Sequence, residues 1–200
     1  MNAALNQLVE ELSIADITPK RKEELALLID YIKTKKAENK PLHLNFICTH
    51  NSRRSQFSQL WAKVMAQHHG IDCNTYSGGV EVTACNKRVV ETLLSQGFDI
   101  ETKENGDNPY YVIQLGGETF GEYFSKLYDD SSSPTKDFAA VMCCAHADEN
   151  CPFIPGADQR IPLRYKDPKA FDDTPEEKAA YHNKSIEIAT EMHYIFSSIA

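Results

Sequence analysis

The sequence predicts an α/β fold: a four-stranded parallel sheet with helices on both faces, carrying an N-terminal helical extension and an inserted hairpin. Two observations predict the sheet, and a third predicts the insertion. Short apolar runs of strand length, "LHLNFIC" at 42–48 and "FAAVMC" at 138–143, alternate with segments whose apolar residues recur at helical spacing. Strands separated by helices pair in parallel, with the helices covering the sheet. That rhythm fails between 102 and 136, where neither pattern continues. A chain of 200 residues suits one domain with a real core and a small appendage. The expected division is an extension at 1–41 and a main domain at 42–200, interrupted by the insertion at 102–136.

In the extension, Thr18-Pro19 supplies an N-cap and a first-turn proline, and Leu25, Leu28, Ile29 and Ile32 make one apolar stripe. The stretch 33–40 is polar and expected to be exposed, and Pro41 ends it. Beyond the first strand, Phe57, Leu60, Trp61, Val64 and Met65 place a helix that begins just after Arg54. "NTYSGG" at 74–79 reads as a second strand, followed by a helix with Asn86 as N-cap and Gly97 as its stop. Within the insertion, "PYYVIQLGGETFGEYF" reads as a hairpin turning at Gly116-Gly117, and "DDSSSPTKD" reads as a loop. Thr174-Pro175-Glu176-Glu177 reads as a capping box opening a terminal helix, whose inner face is Tyr181, Ile188, Met192 and Ile195.

The net charge of -8 argues against a nucleic-acid or membrane-surface partner, although one local site can oppose that field and hold an anion. No stretch approaches the ~18 apolar residues of a membrane helix. The start, "MNAALNQLVEELS", lacks the basic and apolar regions of a signal peptide. Cysteines stand at 48, 73, 85, 143, 144 and 151, and without an export signal they predict the reducing cytoplasm, where thiols are catalytic, metal-binding or buried.

The loop "CTHNSRR" at 48–54 joins the first strand to a helix. A helix N-terminus offers free backbone N–H groups and a favourable dipole to a tetrahedral oxyanion. Residues Thr49, His50, Asn51, Ser52 and Arg53 are spaced to wrap such an anion, and Arg54 can clamp two of its oxygens through a planar fork. Cys48 lies at the other end in the same positive field, which favours the attacking thiolate. Ser55 can donate to that sulfur, and Asn51 can brace a strained turn.

"CTHNSRRSQ" resembles the signature loop of the low-molecular-weight protein tyrosine phosphatase superfamily, and more closely that of its thioredoxin-coupled arsenate reductases, which commonly follow the arginine with Ser-Gln, here Ser55-Gln56. The similarity extends through "YSGGVE", "CCAHADENCPFIPG" and an Asp-Pro at Asp167-Pro168, covering 42–200 apart from the insertion. It implies that Cys48 is the nucleophile, that Asp167 is the general acid, and that Cys144 and Cys151 are a resolving pair. Phosphatases of this fold lack that pair. The resemblance implies no tightly bound cofactor, since the electrons come from thioredoxin or another thiol donor.

Other readings of the cysteine cluster are weaker. A zinc site from Cys143, Cys144, His146 and Cys151 suffers because adjacent cysteines chelate poorly and no CxxC pair is present. Cys143, Cys73 and Cys85 read as packing residues. Four departures from the family pattern leave the substrate open. His50 stands where glycine is usual in a tight turn, and Arg53 where a small residue is usual, adding charge beside the anion. Gln59 replaces a glutamate that helps bind potassium in some reductases, leaving Asn51 and Ser77 as weak candidates. The fourth is the insertion, read as a lid or a partner surface, with Tyr110, Tyr111, Tyr123 and Tyr128 either walling a pocket or packing.

Three functions follow: a thiol-dependent arsenate reductase first, then a phosphatase acting on phosphotyrosine or a small phosphate ester, then a non-catalytic oxyanion-binding or redox-sensing module.

Overall fold

The computed structural model describes residues 3–115, 118–150 and 153–199. Two helices come first, α1 (Ala3–Glu10) and α2 (Pro19–Ala37). Thr18 caps α2 by accepting the Arg21 N–H at 3.2 Å, with Pro19 opening the first turn. Leu25, Leu28, Ile29 and Ile32 are all buried. Lys35 departs from the exposure expected of 33–40: it is buried, with Nζ 2.7 Å from the Asp158 carboxylate. Its position continues the stripe of Leu28 and Ile32 at helical spacing, and the ion pair makes its burial tolerable.

The chain then forms β1 (His43–Cys48), α3 (Arg54–His68), β2 (Asn74–Gly79) and α4 (Lys87–Ser95). Asn86 caps α4 by accepting the Arg88 N–H, and Gly97, at φ +95°, turns the chain out of it. After β3 (Asp99–Glu104), β4 (Tyr110–Leu115) and β5 (Glu118–Tyr123), the chain returns to the core as β6 (Phe138–Met142). The last elements are α5 (Ala145–Asn150), β7 (Ala157–Pro162) and α6 (Glu177–Ser197).

The main sheet has the order β2-β1-β6-β7, every pair parallel, and helices flank it. The fourth strand, β7, reads "ADQRIP" and carries no apolar run that would mark its position in the sequence. Trp61 on α3 is fully buried, and its indole N–H donates to Ser185 Oγ on α6 at 2.8 Å. Because β1 is flanked by β2 on one side and β6 on the other, its carboxyl end is a switch point where successive connections diverge. Such points leave a crevice for a ligand.

The expected hairpin is present as the antiparallel pair β4 and β5, and its Gly116-Gly117 turn lies outside the described residues. A third strand, β3, pairs with β4 from Asp99 onward. The capping box at Thr174 is not formed. Glu176 is the N-cap without a side-chain bond, while Glu177 reaches back to the Asp173 N–H and the Thr174 hydroxyl donates to the Phe171 carbonyl. A tight turn before α6 uses those groups first.

Candidate active site

The loop after β1 crosses the carboxyl end of the sheet and leads into α3. Its carbonyls are held from outside. The Thr49 carbonyl accepts the Val80 and Glu81 N–H groups at 2.9 Å each, and the Ser52 carbonyl accepts the Asn86 N–H at 3.0 Å. The His50 carbonyl accepts the hydroxyls of Ser125 at 2.8 Å and Thr83 at 3.2 Å. Among the described residues, no acceptor takes the backbone N–H groups of Thr49 through Arg53. Carbonyls committed outward and amides left uncommitted make a cradle for an anion.

Asn51 is the keystone. It is fully buried at φ +46°, a region that asparagine tolerates better than most residues. Its Oδ1 accepts the Lys126 N–H at 3.0 Å, which fixes the amide so that Nδ2 donates to Ser55 Oγ at 2.8 Å. With that oxygen accepting, the Ser55 hydroxyl hydrogen is free to donate to Cys48 Sγ, 3.1 Å away. Positive φ therefore falls on Asn51, not on His50, where the sequence suggested strain. The His50 side chain points outward, its Nε2 3.3 Å from Glu81. Replacing Asn51 with alanine leaves the buried Lys126 N–H without an acceptor. A loss of about 1–3 kcal/mol is expected, read as a lowered urea midpoint with an unchanged slope.

The insertion braces this loop from beneath. Gln56 Nε2 donates to the Asn51 carbonyl at 2.8 Å and to the Phe124 carbonyl at 2.9 Å. The Lys126 carbonyl accepts the Gly79 N–H, and Gly78 passes so close to Tyr128 that a Cβ there would lie 2.2 Å from its Cα. Of the four tyrosines, Tyr111 lines a groove of about 500 Å³ beside the loop with His50, Ser52, Arg53, Arg88 and Lys169. Tyr123 is buried, and Tyr110 stacks on Phe124.

The two arginines have different partners. Arg54 donates from NH2 to Asp167 Oδ2 at 2.7 Å and from NH1 to the Tyr165 carbonyl at 3.3 Å. Asp167 in turn caps the short turn Pro168–Phe171 by accepting the Lys169 N–H. Arg53 is engaged instead by the Tyr181 hydroxyl at 2.6 Å and Asp172 at 3.0 Å, so its charge is compensated rather than added beside the anion. That arrangement was invisible in sequence, because Tyr181 and Asp172 lie far along the chain and Tyr181 reads only as core.

Cys144 follows β6, and the Cys143 N–H donates to the Ile47 carbonyl at 2.7 Å, which ties the two strand ends together. Cys144 is buried, its Sγ 3.4 Å from Thr49 Oγ1 and accepting the Ala147 N–H at 3.4 Å. His146 Nδ1 also lies 3.4 Å from Thr49 Oγ1. The segment "AHADEN" is the helix α5. Asp148, within it, is buried and paired with Arg160 and Arg164. Burial alone would raise the Asp148 carboxyl, but the two guanidiniums outweigh it and hold it below the usual carboxylate range. Cys151 lies outside the described residues.

Burial pushes the thiols of Cys73 and Cys85 up to about 12, and that of Cys143 higher still. Protonated, buried thiols of this kind pack and do not react. The potassium candidates do not fit that ion: the Ser77 hydroxyl donates to Gln59 Oε1 at 2.5 Å, and both amide atoms of Asn51 are already bonded within the protein.

The loop thus brings Cys48, the amides of Thr49 to Arg53, the Arg54 guanidinium and the Asp167 carboxylate to the carboxyl end of the sheet, on the fold of the low-molecular-weight phosphatases. Solved structures share that fold. The low-molecular-weight protein tyrosine phosphatase from T. tengcongensis has a TM-score of 0.51 at 15% identity, covering 78% of this chain and 99% of that one. The arsenate reductase from Archaeoglobus fulgidus gives 0.51 at 17%, covering 77% and 98%. No family model matches the chain. The arsenate reductase of Bacillus licheniformis is 30% identical over 139 residues, 70% of this chain and 83% of that protein. The chain belongs to the arsenate reductase family.

Proposed function

We propose that this chain reduces arsenate to arsenite with two electrons from its own thiols. Arsenate sits on the Thr49–Arg53 amides and the Arg54 fork. Cys48 attacks arsenic, and water leaves with a proton from Asp167. Cys144 then attacks Cys48 Sγ. The sulfur–sulfur bond forms, the electron pair of the arsenic–sulfur bond passes to arsenic, and arsenite leaves. Cys151 attacks Cys144, freeing Cys48 and leaving a 144–151 disulfide for thioredoxin or another thiol donor in the cytoplasm. No tightly bound cofactor is needed. Residues 42–200 carry this chemistry, and 1–41 are an extension packed on α6 and β7.

The observation that carries the reading is the seat of Cys144, 3.4 Å from the side chain of the residue next to Cys48. Phosphoryl transfer through Cys48 does not require a second thiol there. One observation favours the phosphatase: the groove walled by Tyr111, with Arg88 and Lys169 on its rim, suits an aryl phosphate. The third reading, a binding module without turnover, has lost some of its motive, since neither His50 nor Arg53 blocks the loop.

The test supplies the protein with arsenate, thioredoxin, thioredoxin reductase and NADPH, and separately with an aryl phosphate. Sustained arsenite release, with aryl phosphate turnover at least ~10²-fold weaker in kcat/KM, is expected; one tenfold step is 1.4 kcal/mol of transition-state selectivity. Aryl phosphate hydrolysis without arsenite release would make the chain a phosphatase, and bound phosphate without turnover would make it a binding module.

A further inference from the structure

At the end of α3 remote from the loop, three imidazoles meet. His68 is the last residue of α3, His69 is its C-cap, and His193 lies on α6. His69 Nε2 stands 3.1 Å from His193 Nδ1. The His68 ring lies 4.9 Å from that of His69 and 5.9 Å from that of His193, centre to centre. Each ring offers a nitrogen, and the three nitrogens lie within 4.8 Å of one another. We infer that His68, His69 and His193 form a binding site for a divalent transition-metal ion of the zinc, nickel or cobalt class, separate from the thiol chemistry.

Ligand type and spacing both support this. Imidazole suits those ions, and metal–nitrogen bonds of ~2.0–2.1 Å at tetrahedral angles put ligating nitrogens about 3.3 Å apart. His69 and His193 already stand near that separation. His68 is exposed, so its ring can turn to close the remaining gap without disturbing the core. A hydrogen bond between two histidines at a helix seam explains His69 and His193 but gives His68 no reason to converge on them. One proton now lies between His69 and His193. Binding requires it to move to the far nitrogen of the same ring, a change of tautomer without change of charge. The open side at His68 leaves a coordination position for water.

The 15 residues of α3 separate this cluster from Arg54 by about 22 Å. An ion here joins α3 to α6 and leaves the reacting sulfur untouched. Because it binds the folded chain, it raises stability by mass action.

The test titrates cobalt(II) into the reduced full-length protein, followed by visible absorption, with nickel(II) thermal shifts as a second readout. One equivalent is expected to give tetrahedral ligand-field bands with no thiolate-to-metal charge transfer. His68→Ala and His193→Ala should each weaken binding by roughly tenfold or more and abolish the thermal shift, while Cys144→Ser leaves both unchanged. His68 is exposed, so its variant folds even if that of His193 does not. A charge-transfer band lost in Cys144→Ser would put the ion on the thiols and overturn the proposal. So would wild-type affinity in His68→Ala, or no binding below millimolar cobalt.

Discussion

Cys144→Ser stops sustained arsenite release, to less than ~0.1% of the wild-type rate, because an alcohol does not exchange with sulfur as a thiolate does. The first step survives. Cys48, its Ser55 partner and the amide cradle make no use of the Cys144 sulfur, apart from the contact of Thr49. Arsenate should therefore still bind, and mass spectrometry of the quenched variant should find no 48–144 disulfide, whereas wild type quenched without a thiol donor should hold one disulfide per chain. Multiple turnovers by the variant would mean that an external thiol resolves Cys48 directly, and the internal relay would be wrong. Aryl phosphate hydrolysis, if any, should be unaffected by this change.

Arg54→Lys keeps the charge and loses the fork. In the folded chain Arg54 bonds both Asp167 and the Tyr165 carbonyl, so its guanidinium is pre-set at the cradle's edge. A lysine offers a point charge that cannot grip two oxyanion oxygens in one plane. Removing one positioned donor to developing charge costs ~10²–10³ in kcat, and that loss is expected here in arsenite formation. Asp167→Asn removes the proton source while retaining a hydrogen bond to Arg54, and its effect should fall on kcat more than on KM. A fall in KM-limited binding alone, with kcat unchanged, would assign Asp167 to holding Arg54 and nothing more.

What the sequence revealed follows the range of the forces involved. The caps at Thr18 and Asn86 involve groups two or three residues apart, and both were legible. The buried strands β1 and β6 announced themselves as continuous apolar runs, as strands covered on both faces do. The loop from β1 into α3 was legible because strand, loop and helix are adjacent in the chain. β3 and β7 were not, since "DIETKE" and "ADQRIP" carry no apolar pattern and form only because β4 and β6 are there to pair with. The helix α5 was equally hidden: four of its six residues are polar, and long-range pairs from Arg160 and Arg164 to Asp148 hold it. The partners of Arg53 and the support that Ser125 and Lys126 lend the loop come from the same source, residues distant in sequence that meet only after folding.

The burial of Cys144 under α5 has a further consequence. Almost none of that sulfur's residue meets solvent, so in this closed arrangement it is shielded from oxidants in bulk solution. A helix of six residues has little stability of its own and opens at small cost once its anchors yield. Thr49 follows Cys48 in the loop, and its hydroxyl lies 3.4 Å from the Cys144 sulfur. The loop and the shielded sulfur thus share one side chain, that of Thr49.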